Sequence, residues 1–314
     1  MAKNIVPAEI TKQQGKIIDA ADDIAQTSAI EAKAVAFTSP LFILATLPHR
    51  EPLNKDTGEK LMIYTRTVDD YELVVAGGEH GVPFGIWPRL IFIFLITEAV
   101  RTGNRVINLG YSLREFLRKL GVEGVSGGKT GNIRHVHDQV VRMSECRISC
   151  KGYKPGKKRD SSSVRSIKNI MPVGESLLWW DIKKDRNPNQ ASLFESTITL
   201  TEDFFNFIVQ HPIPLDWRAL IALKGSSMAL DIYSWLVYSI YAVYKSGKST
   251  KVSWKRLYKQ FGANYKRLRD FKKSFLEQLN SVLKVYPEAK ISFPDEESLE
   301  LLVPSSLHVA ELPK

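Results

Sequence analysis

A ten-residue pattern occurs twice in this chain, at residues 112–121 and at residues 253–262. Each copy reads serine, apolar, two charged, two apolar, two polar, apolar, glycine. The apolar positions recur at i, i+3, i+4 and i+7, which places them on one face of a short helix. The leading serine suits an N-cap, and the final glycine suits the left-handed residue that ends many helices. Any two short amphipathic helices would share these features. Whether the two copies are related therefore has to be judged from the sequence that flanks them.

The sequence after each copy favours two related domains. Residues 132–145 and 265–283 carry apolar side chains at helical spacing and predict a second, longer helix in each half. Strand-like segments then follow, at residues 147–151, 176–182, 289–293 and 299–303. A short helix, a longer helix and a β-hairpin form the plan of a helix-turn-helix with a β-wing. The predicted fold class is therefore α+β, with tandem winged-helix domains.

Composition divides the chain into three predicted parts. Residues 1–39 are polar and rich in alanine, so we expect a flexible or helical leader there. Residues 40–190 should form the N-terminal winged-helix domain and residues 191–314 the C-terminal one, because a polar run at 187–190 suits a linker. Residues 41–47 have the composition of a strand that precedes the first helices.

Basic charge is concentrated where the two motifs lie. The net charge is +10, yet residues 129–168 hold eleven Lys or Arg against three acids, and residues 245–273 hold eleven against one. The rest of the chain is therefore acidic overall. A solvated charged face is the ordinary explanation for a basic run, but each block coincides with one helix-turn-helix. That coincidence favours a polyanionic partner, and nucleic acid above all.

Secretion, membrane insertion and cofactor binding are not expected. The chain opens on polar sequence, and the apolar stretches at 90–96 and 228–244 are too short or too interrupted for the roughly 20 apolar residues of a membrane span. Both stretches should be buried core helices. Cys146 and Cys150 fall on one face of a predicted strand, where they form neither a disulfide nor a complete zinc site. We expect a cytoplasmic protein with no metal and no other cofactor.

Two motifs resemble catalytic or nucleotide sites but lack the required context. The run Gly127-Gly128-Lys129-Thr130 resembles a phosphate-binding loop, yet it has Glu123 where the first glycine is needed, and a helix precedes it. His135 and His137 match the paired metal ligands of rolling-circle nickases, but two residues apart on a helix point about 200° apart. No catalytic residue is predicted.

Short motifs between residues 40 and 152 carry a family resemblance. They are Leu47-Pro48-His49, Gly81-Val82-Pro83-Phe84-Gly85-Ile86-Trp87-Pro88-Arg89, Thr97-Glu98-Ala99-Val100-Arg101, Leu109-Gly110-Tyr111-Ser112-Leu113-Arg114-Glu115-Phe116 and Gly127-Gly128-Lys129. These stretches resemble plasmid-encoded RepA-type replication initiators, whereas the C-terminal half is similar only in general plan. The resemblance implies two winged-helix domains that bind direct repeats, or iterons, at a plasmid origin. It also implies DNA opening with host initiator and helicase proteins, repression by homodimers, and no catalytic centre.

Helix-turn-helix geometry predicts which residues meet double-stranded DNA, because the second helix enters the major groove with its N-terminal residues at base edges. In the first unit the predicted base readers are Asn132, Arg134, His135 and Gln139, with Lys129 and Arg142 on phosphates. In the second unit the predicted base readers are Asn264, Lys266, Arg267 and Asp270, with Arg269, Lys272 and Lys273 nearby. A basic hairpin at residues 152–170 would follow the backbone or a minor groove through Lys154, Lys157, Lys158 and Arg159.

Two other functions remain open at this point. A tandem winged-helix transcription regulator would have the same motifs, and only repeated sites with unwinding of adjacent DNA would favour an initiator. A metal-dependent nickase would use the two histidines and would relax supercoiled origin DNA with Mg²⁺ or Mn²⁺.

Overall fold

Two hydrophobic cores organise the chain, whose residues 11–122, 131–152, 167–180 and 193–310 are described by a computed structural model. The elements of the first half are α1 (Lys12–Gln26), β1 (Val35–Thr38), α2 (Pro40–Leu44), β2 (Ile63–Val68), β3 (Tyr71–Ala76), α3 (Ile86–Thr102), β4 (Val106–Gly110), α4 (Leu113–Lys119), α5 (Asn132–Glu145), β5 (Arg147–Lys151), β6 (Ile167–Ile170) and β7 (Val173–Leu177). Those of the second half are β8 (Ser196–Leu200), α6 (Glu202–Gln210), β9 (Ile213–Asp216), α7 (Trp217–Leu223), α8 (Ser227–Ser246), β10 (Thr250–Ser253), α9 (Trp254–Phe261), α10 (Leu268–Val285), β11 (Ile291–Asp295) and β12 (Ser298–Leu301).

The repeated pattern forms α4 and α9, as predicted. Ser112 accepts a hydrogen bond from the backbone N–H of Glu115 at 3.1 Å, and Ser253 accepts one from Arg256 at 3.3 Å. Gly121 has a φ of +67°, which confirms the left-handed ending of the first copy. Gly262 does not adopt the left-handed conformation, so that prediction is wrong for the second copy. A Cβ at Gly262 would lie 2.4 Å from the ring of Tyr258. The second glycine is therefore required by close packing.

The second unit is a complete winged helix. Its order is α8, β10, α9, α10, β11, β12, and the three strands form one antiparallel sheet with β12 in the centre. Trp254, Phe261, Phe271 and Phe275 fill its core and pack edge-to-face or tilted against one another. The predicted wing strands at 289–293 and 299–303 correspond to β11 and β12.

The first unit repeats the helix order but distributes its strands over two sheets. β5 pairs with β6 and with β3, in a sheet ordered β2-β3-β5-β6, whereas β4 pairs with β8, which in turn pairs with β7. The strand predicted at 176–182 as one side of the first wing is therefore wrong: β6 closes that hairpin. Pro172, which follows β6, has no N–H to continue the ladder, and the chain turns into the second sheet.

The predicted domain boundary does not separate the two cores. β8 and α6 belong to the first core, through Ile198, Phe204 and Phe207. In this half of the chain, the first element that packs into the second core is β9. The helical alternative for the leader is correct over α1, but this helix belongs to the second core. Ile17 is buried there, and Gln13 donates a hydrogen bond to the carbonyl of Ala222 at 2.6 Å.

Local predictions elsewhere were mixed. The strand predicted at 41–47 is wrong, because Ser39 caps a helix that Pro40 begins, and proline favours the first helical position. The two apolar stretches are buried helices, α3 and α8, as predicted. Within the described ranges, no helix has both the length and the apolar character needed to cross a membrane. Both cysteines are buried, and burial raises the pKa of Cys146 to about 12.

Candidate nucleic-acid interface

In each unit, the second helix of the helix-turn-helix, which was predicted to meet base edges, is called the reading helix. The reading helix of the second unit, α10, begins at Leu268, three residues later than the sequence predicted. The hydroxyl of Tyr258 donates to the carbonyl of Tyr265 at 2.6 Å, and the ring of Tyr265 packs against Phe271. These two contacts hold Tyr265 in the segment before the helix. Asn264 and Lys266 therefore lie, exposed, in the turn before the helix, and Arg267 is its N-cap residue.

Four exposed cations surround the start of α10. They are Lys266, Arg267, Arg269 and Lys273, which we call the α10 basic surface. The side chains of Arg267 and Arg269 are 68% and 83% exposed, while Phe271, Phe275 and Leu279 bury the opposite face. An amphipathic helix with its cations at the exposed N-terminal end suits insertion into a major groove.

Four predicted contact residues at α10 have partners within the protein, because Asp270 pairs with Arg267 and, at 3.8 Å, with Arg269, and Lys272 contacts the wing. Asp270 accepts from Arg267 at 2.7 Å, so an Asp270 contact with cytosine would have to replace this exposed ion pair. Lys272 donates to the carbonyl of Glu296 at 2.9 Å and lies over the ring of Trp254. Lys272 therefore connects the reading helix to the wing.

The first reading helix, α5, exposes only part of its predicted face. Arg134 and His135 are exposed in the first turn, and Asn132 is half-buried. Gly131 is the N-cap residue of α5 and has no side chain with which to cap the helix. The exposed Arg134 in the first turn suits contact with an anionic phosphate.

Gln139 and Arg142 do not fit the predicted interface, because each is only 3% exposed. Gln139 accepts from the backbone N–H of Phe84 at 2.9 Å. Arg142 pairs with Glu51 at 2.8 Å and with Asp138 at 2.9 Å, and its guanidinium stacks on Phe84. Both side chains hold α5 against the segment before α3. Because they are buried there, they are not available to contact DNA, and their prediction as DNA contacts is wrong.

The histidine pair lies on α5, as the helical periodicity predicted. His135 is exposed and His137 is half-buried, in keeping with their directions two residues apart on a helix. No group of three or more His, Cys, Asp or Glu residues within the described part of the chain is arranged to hold a metal ion.

The cations predicted for the basic hairpin, Lys154, Lys157, Lys158 and Arg159, lie outside the described residues, as does Lys129. The hairpin leaves β5 at Gly152, which has a φ of +83°. A Cβ there would lie 2.0 Å from the carbonyl oxygen of Asp70, so only glycine fits.

The second wing is acidic at its turn. Asp295, Glu296 and Glu297 connect β11 to β12, and the hydrogen bond from Ser298 lowers the pKa of Asp295. Three carboxylates repel DNA phosphates. The α10 basic surface is therefore the better candidate for DNA contact in this unit than the wing.

The sequence reasoning missed cations on α9. Lys255 is exposed and forms no ion pair within the described part of the chain, while Arg256 lies 3.4 Å from Asp69 of the β2–β3 turn. The first helix of a helix-turn-helix crosses the DNA backbone. This rule could have predicted Lys255 of α9 as a phosphate contact from the sequence.

Contacts between the units fix the position of α5 relative to α10. β1 pairs antiparallel with β9, and Arg66 of β2 donates to the carbonyl of Tyr258 in α9 at 2.6 Å. These bonds hold the second helix-turn-helix against the first unit.

A buried charge cluster lies at the same junction. Arg89 donates to both carboxylate oxygens of Asp231 at 2.7 Å, and His49 contacts the same carboxylate at 2.8 Å. Burial alone would raise the pKa of Asp231, but Arg89 and the His49 hydrogen bond together lower it. Burial lowers the pKa of His49 more than Asp231 raises it. Neutral His49 then donates from Nε2 to the ionised carboxylate.

The family model described as "Plasmid encoded RepA protein" matches residues 82–256. None of the curated proteins matches the sequence. A crystal structure of domains 2 and 3 of RctB is similar at 10% identity with a TM-score of 0.47, covering 84% of this chain and 97% of that one. A second RctB structure of domains 2-3 is similar at 9% identity with a TM-score of 0.42, covering 80% and 92%.

Proposed function

Because the chain belongs to the plasmid-encoded RepA family of replication initiators, we propose that it binds double-stranded DNA at direct repeats of its own origin. The observation that carries this proposal is the α10 basic surface, displayed at the exposed N-terminal end of the second helix of a complete winged helix. The bound protein would help to open adjacent DNA and recruit host initiator and helicase proteins, and dimers would repress transcription. For these roles we expect the protein in the cytoplasm.

The proposed interface divides its work between three groups of residues. Arg267 and Arg269 of α10 read base edges, because a planar guanidinium matches the two acceptors of guanine. Arg134 and His135 provide a shorter contact from α5, and Lys255 and Lys273 bind phosphates. The basic hairpin of the first wing adds contacts that do not depend on sequence.

Fixed spacing between the units supports a single chain on each repeat. β1–β9 pairing and the Arg89–Asp231 pair hold both helix-turn-helix motifs in one arrangement. Two reading helices of one molecule would then enter successive major grooves about 34 Å apart. Their readers differ, so each repeat is asymmetric.

The test is a mobility-shift titration with duplex from the DNA beside its own gene, alongside a random duplex of equal length. Arg267→Ala should cost about 1–3 kcal/mol on the cognate duplex and relax preference at one base pair. Lys284→Ala is the matched control, since Lys284 is an exposed cation in the last turn of the same helix. Equal losses for both variants, or equal losses on both duplexes, would contradict recognition by α10.

We further propose that the protein is not an enzyme. Supercoiled origin DNA incubated with the protein and Mg²⁺ or Mn²⁺ should remain supercoiled, and relaxed DNA covalently attached to the protein would demonstrate a nickase. Permanganate reactivity beside the repeats separates an initiator from a transcription regulator. Unpaired thymines are expected for an initiator, and a footprint without them would favour the regulator.

A further inference from the structure

A cleft with a volume of about 1030 Å³ lies where α1, α4 and α7 meet. Its walls come from both cores, because α4 belongs to the first unit whereas α1 and α7 pack into the second. Gly121 allows the close approach: a Cβ there would lie 2.5 Å from the side chain of Ile221. The volume is in the range of sites that enclose small ligands.

Five cations line this cleft, and two of them are already satisfied. Arg218 is paired with Asp216 at 2.7 Å and with Asp23 at 3.1 Å. Lys224 donates to the carbonyl of Gly121 at 2.6 Å. The charge of these two side chains is therefore committed to the fold, and Asp19 is the other acid in the cleft.

The other three cations are Lys16, Arg114 and Arg118, none of which forms an ion pair with any residue in the described ranges. The Nε of Arg114 is also buried without a hydrogen-bond partner. A buried donor without an acceptor is costly, so the contacts of Arg114 within the described part of the chain do not fully satisfy its guanidinium.

The repeated pattern gives an internal comparison for this charge. Lys259 is the counterpart of Arg118, and it lies 4.0 Å from Asp69, which the other unit supplies. Within the described ranges, Arg118 has no ion-pair partner of this kind. The cleft is therefore the surface that Arg118 of the first copy faces, whereas Lys259 of the second copy faces a carboxylate.

The rest of the cleft is apolar. Trp217, Ile221 and Ala222 of α7 form one wall, and Val122 forms part of the rim. An aromatic ring beside guanidinium groups suits a ligand with a flat base at one end and phosphates at the other.

We propose that this cleft binds a nucleoside polyphosphate, with its phosphates at Arg114, Arg118 and Lys16 and its base against Trp217. A bound nucleotide would contact both units and stabilise their arrangement, since a ligand stabilises the state that binds it. The site is separate from the α10 basic surface, so this inference does not depend on DNA recognition.

The experiment is isothermal titration of the full chain, without DNA, by ATP, GTP, ADP and pyrophosphate. Arg114→Gln and Arg118→Gln should each weaken nucleotide binding about ten- to hundredfold, which is the usual effect of losing a charge-assisted hydrogen bond. Lys119→Gln is the control on the same helix, because Lys119 does not line the cleft and should leave affinity unchanged. Trp217→Phe should weaken ATP but not pyrophosphate.

Lys16→Gln provides a second test, because Lys16 is exposed on α1 and its replacement leaves the packing intact. Circular dichroism shows whether each variant is folded. The proposal is overturned if no nucleotide binds the wild-type chain, or if Lys119→Gln and Arg114→Gln bind equally. It is also overturned if only an oligoglutamate peptide or a short single-stranded oligonucleotide binds in an Arg114-dependent way.

Discussion

Replacing Asp231 with asparagine removes the carboxylate that Arg89 contacts through two hydrogen bonds of 2.7 Å. Arg89 and Asp231 are 6% and 8% exposed, so water cannot replace the lost charge. Breaking a buried ion pair by changing one partner typically costs about 3–5 kcal/mol. We expect a value near the lower end, about 3 kcal/mol, because asparagine keeps one oxygen acceptor. Arg89 also keeps its hydrogen bonds to the carbonyls of Leu47, Pro48 and Gly85.

The assay is urea unfolding followed by tryptophan fluorescence, in which a lower midpoint at constant slope reports lost stability. Glu98→Gln serves as the control, because the Glu98–Arg101 pair is exposed, 3.5 Å long and worth at most about 0.5 kcal/mol. Arg89→Met combined with Asp231→Leu should cost less than the sum of the single changes. A loss below about 1 kcal/mol for Asp231→Asn, or strict additivity in the double variant, would refute the reasoning.

Three further predictions concern solution conditions. Affinity for origin DNA should fall by about 10³–10⁵ between 50 and 200 mM salt if about 6–10 phosphates are contacted, and a flat titration would exclude the charge argument. Stability should fall as the pH drops below 6.5, because burial lowers the pKa of His49 and His308 in the folded chain and the unfolded chain then binds more protons. Urea midpoints at pH 7.5 and 5.5 test this, and equal midpoints would contradict it. Cys146 and Cys150 are buried, so a thiol reagent should label them only in denaturant, and rapid labelling of the native chain would contradict their burial.

Periodic segments were predictable from the sequence because their signal is local. The bounds of α5 agree with prediction to the residue, and α9 is confirmed with its serine cap. The start of α10 was predicted too early, because contacts with Tyr258 and Phe271 hold Tyr265 in the segment before the helix. Tyr258 lies seven residues away on a different helix, so its contact with Tyr265 has no effect on the spacing of apolar residues from which α10 was predicted.

The burial of Gln139 and Arg142 was not predictable for a related reason. Both lie on the polar side of an amphipathic helix, which periodicity assigns to solvent. The segment before α3 covers that side, and Glu51 and Phe84 supply the partners. Such burial depends on contacts more than 50 residues apart in sequence. The same limitation explains why β8 and α6 were assigned to the wrong core.

The duplication extends beyond the motif on which the sequence argument began. Each half contains a short strand followed directly by a capped helix: β1 leads into α2 after Ser39, and β9 leads into α7 at Asp216. These two strands pair antiparallel, from Val35 opposite Asp216 to Thr38 opposite Ile213. An antiparallel pair of strands has a local twofold axis, which relates β1 to β9. Under the proposed mode of binding, one chain that carries two different helix-turn-helix motifs would contact an asymmetric repeat without a second copy.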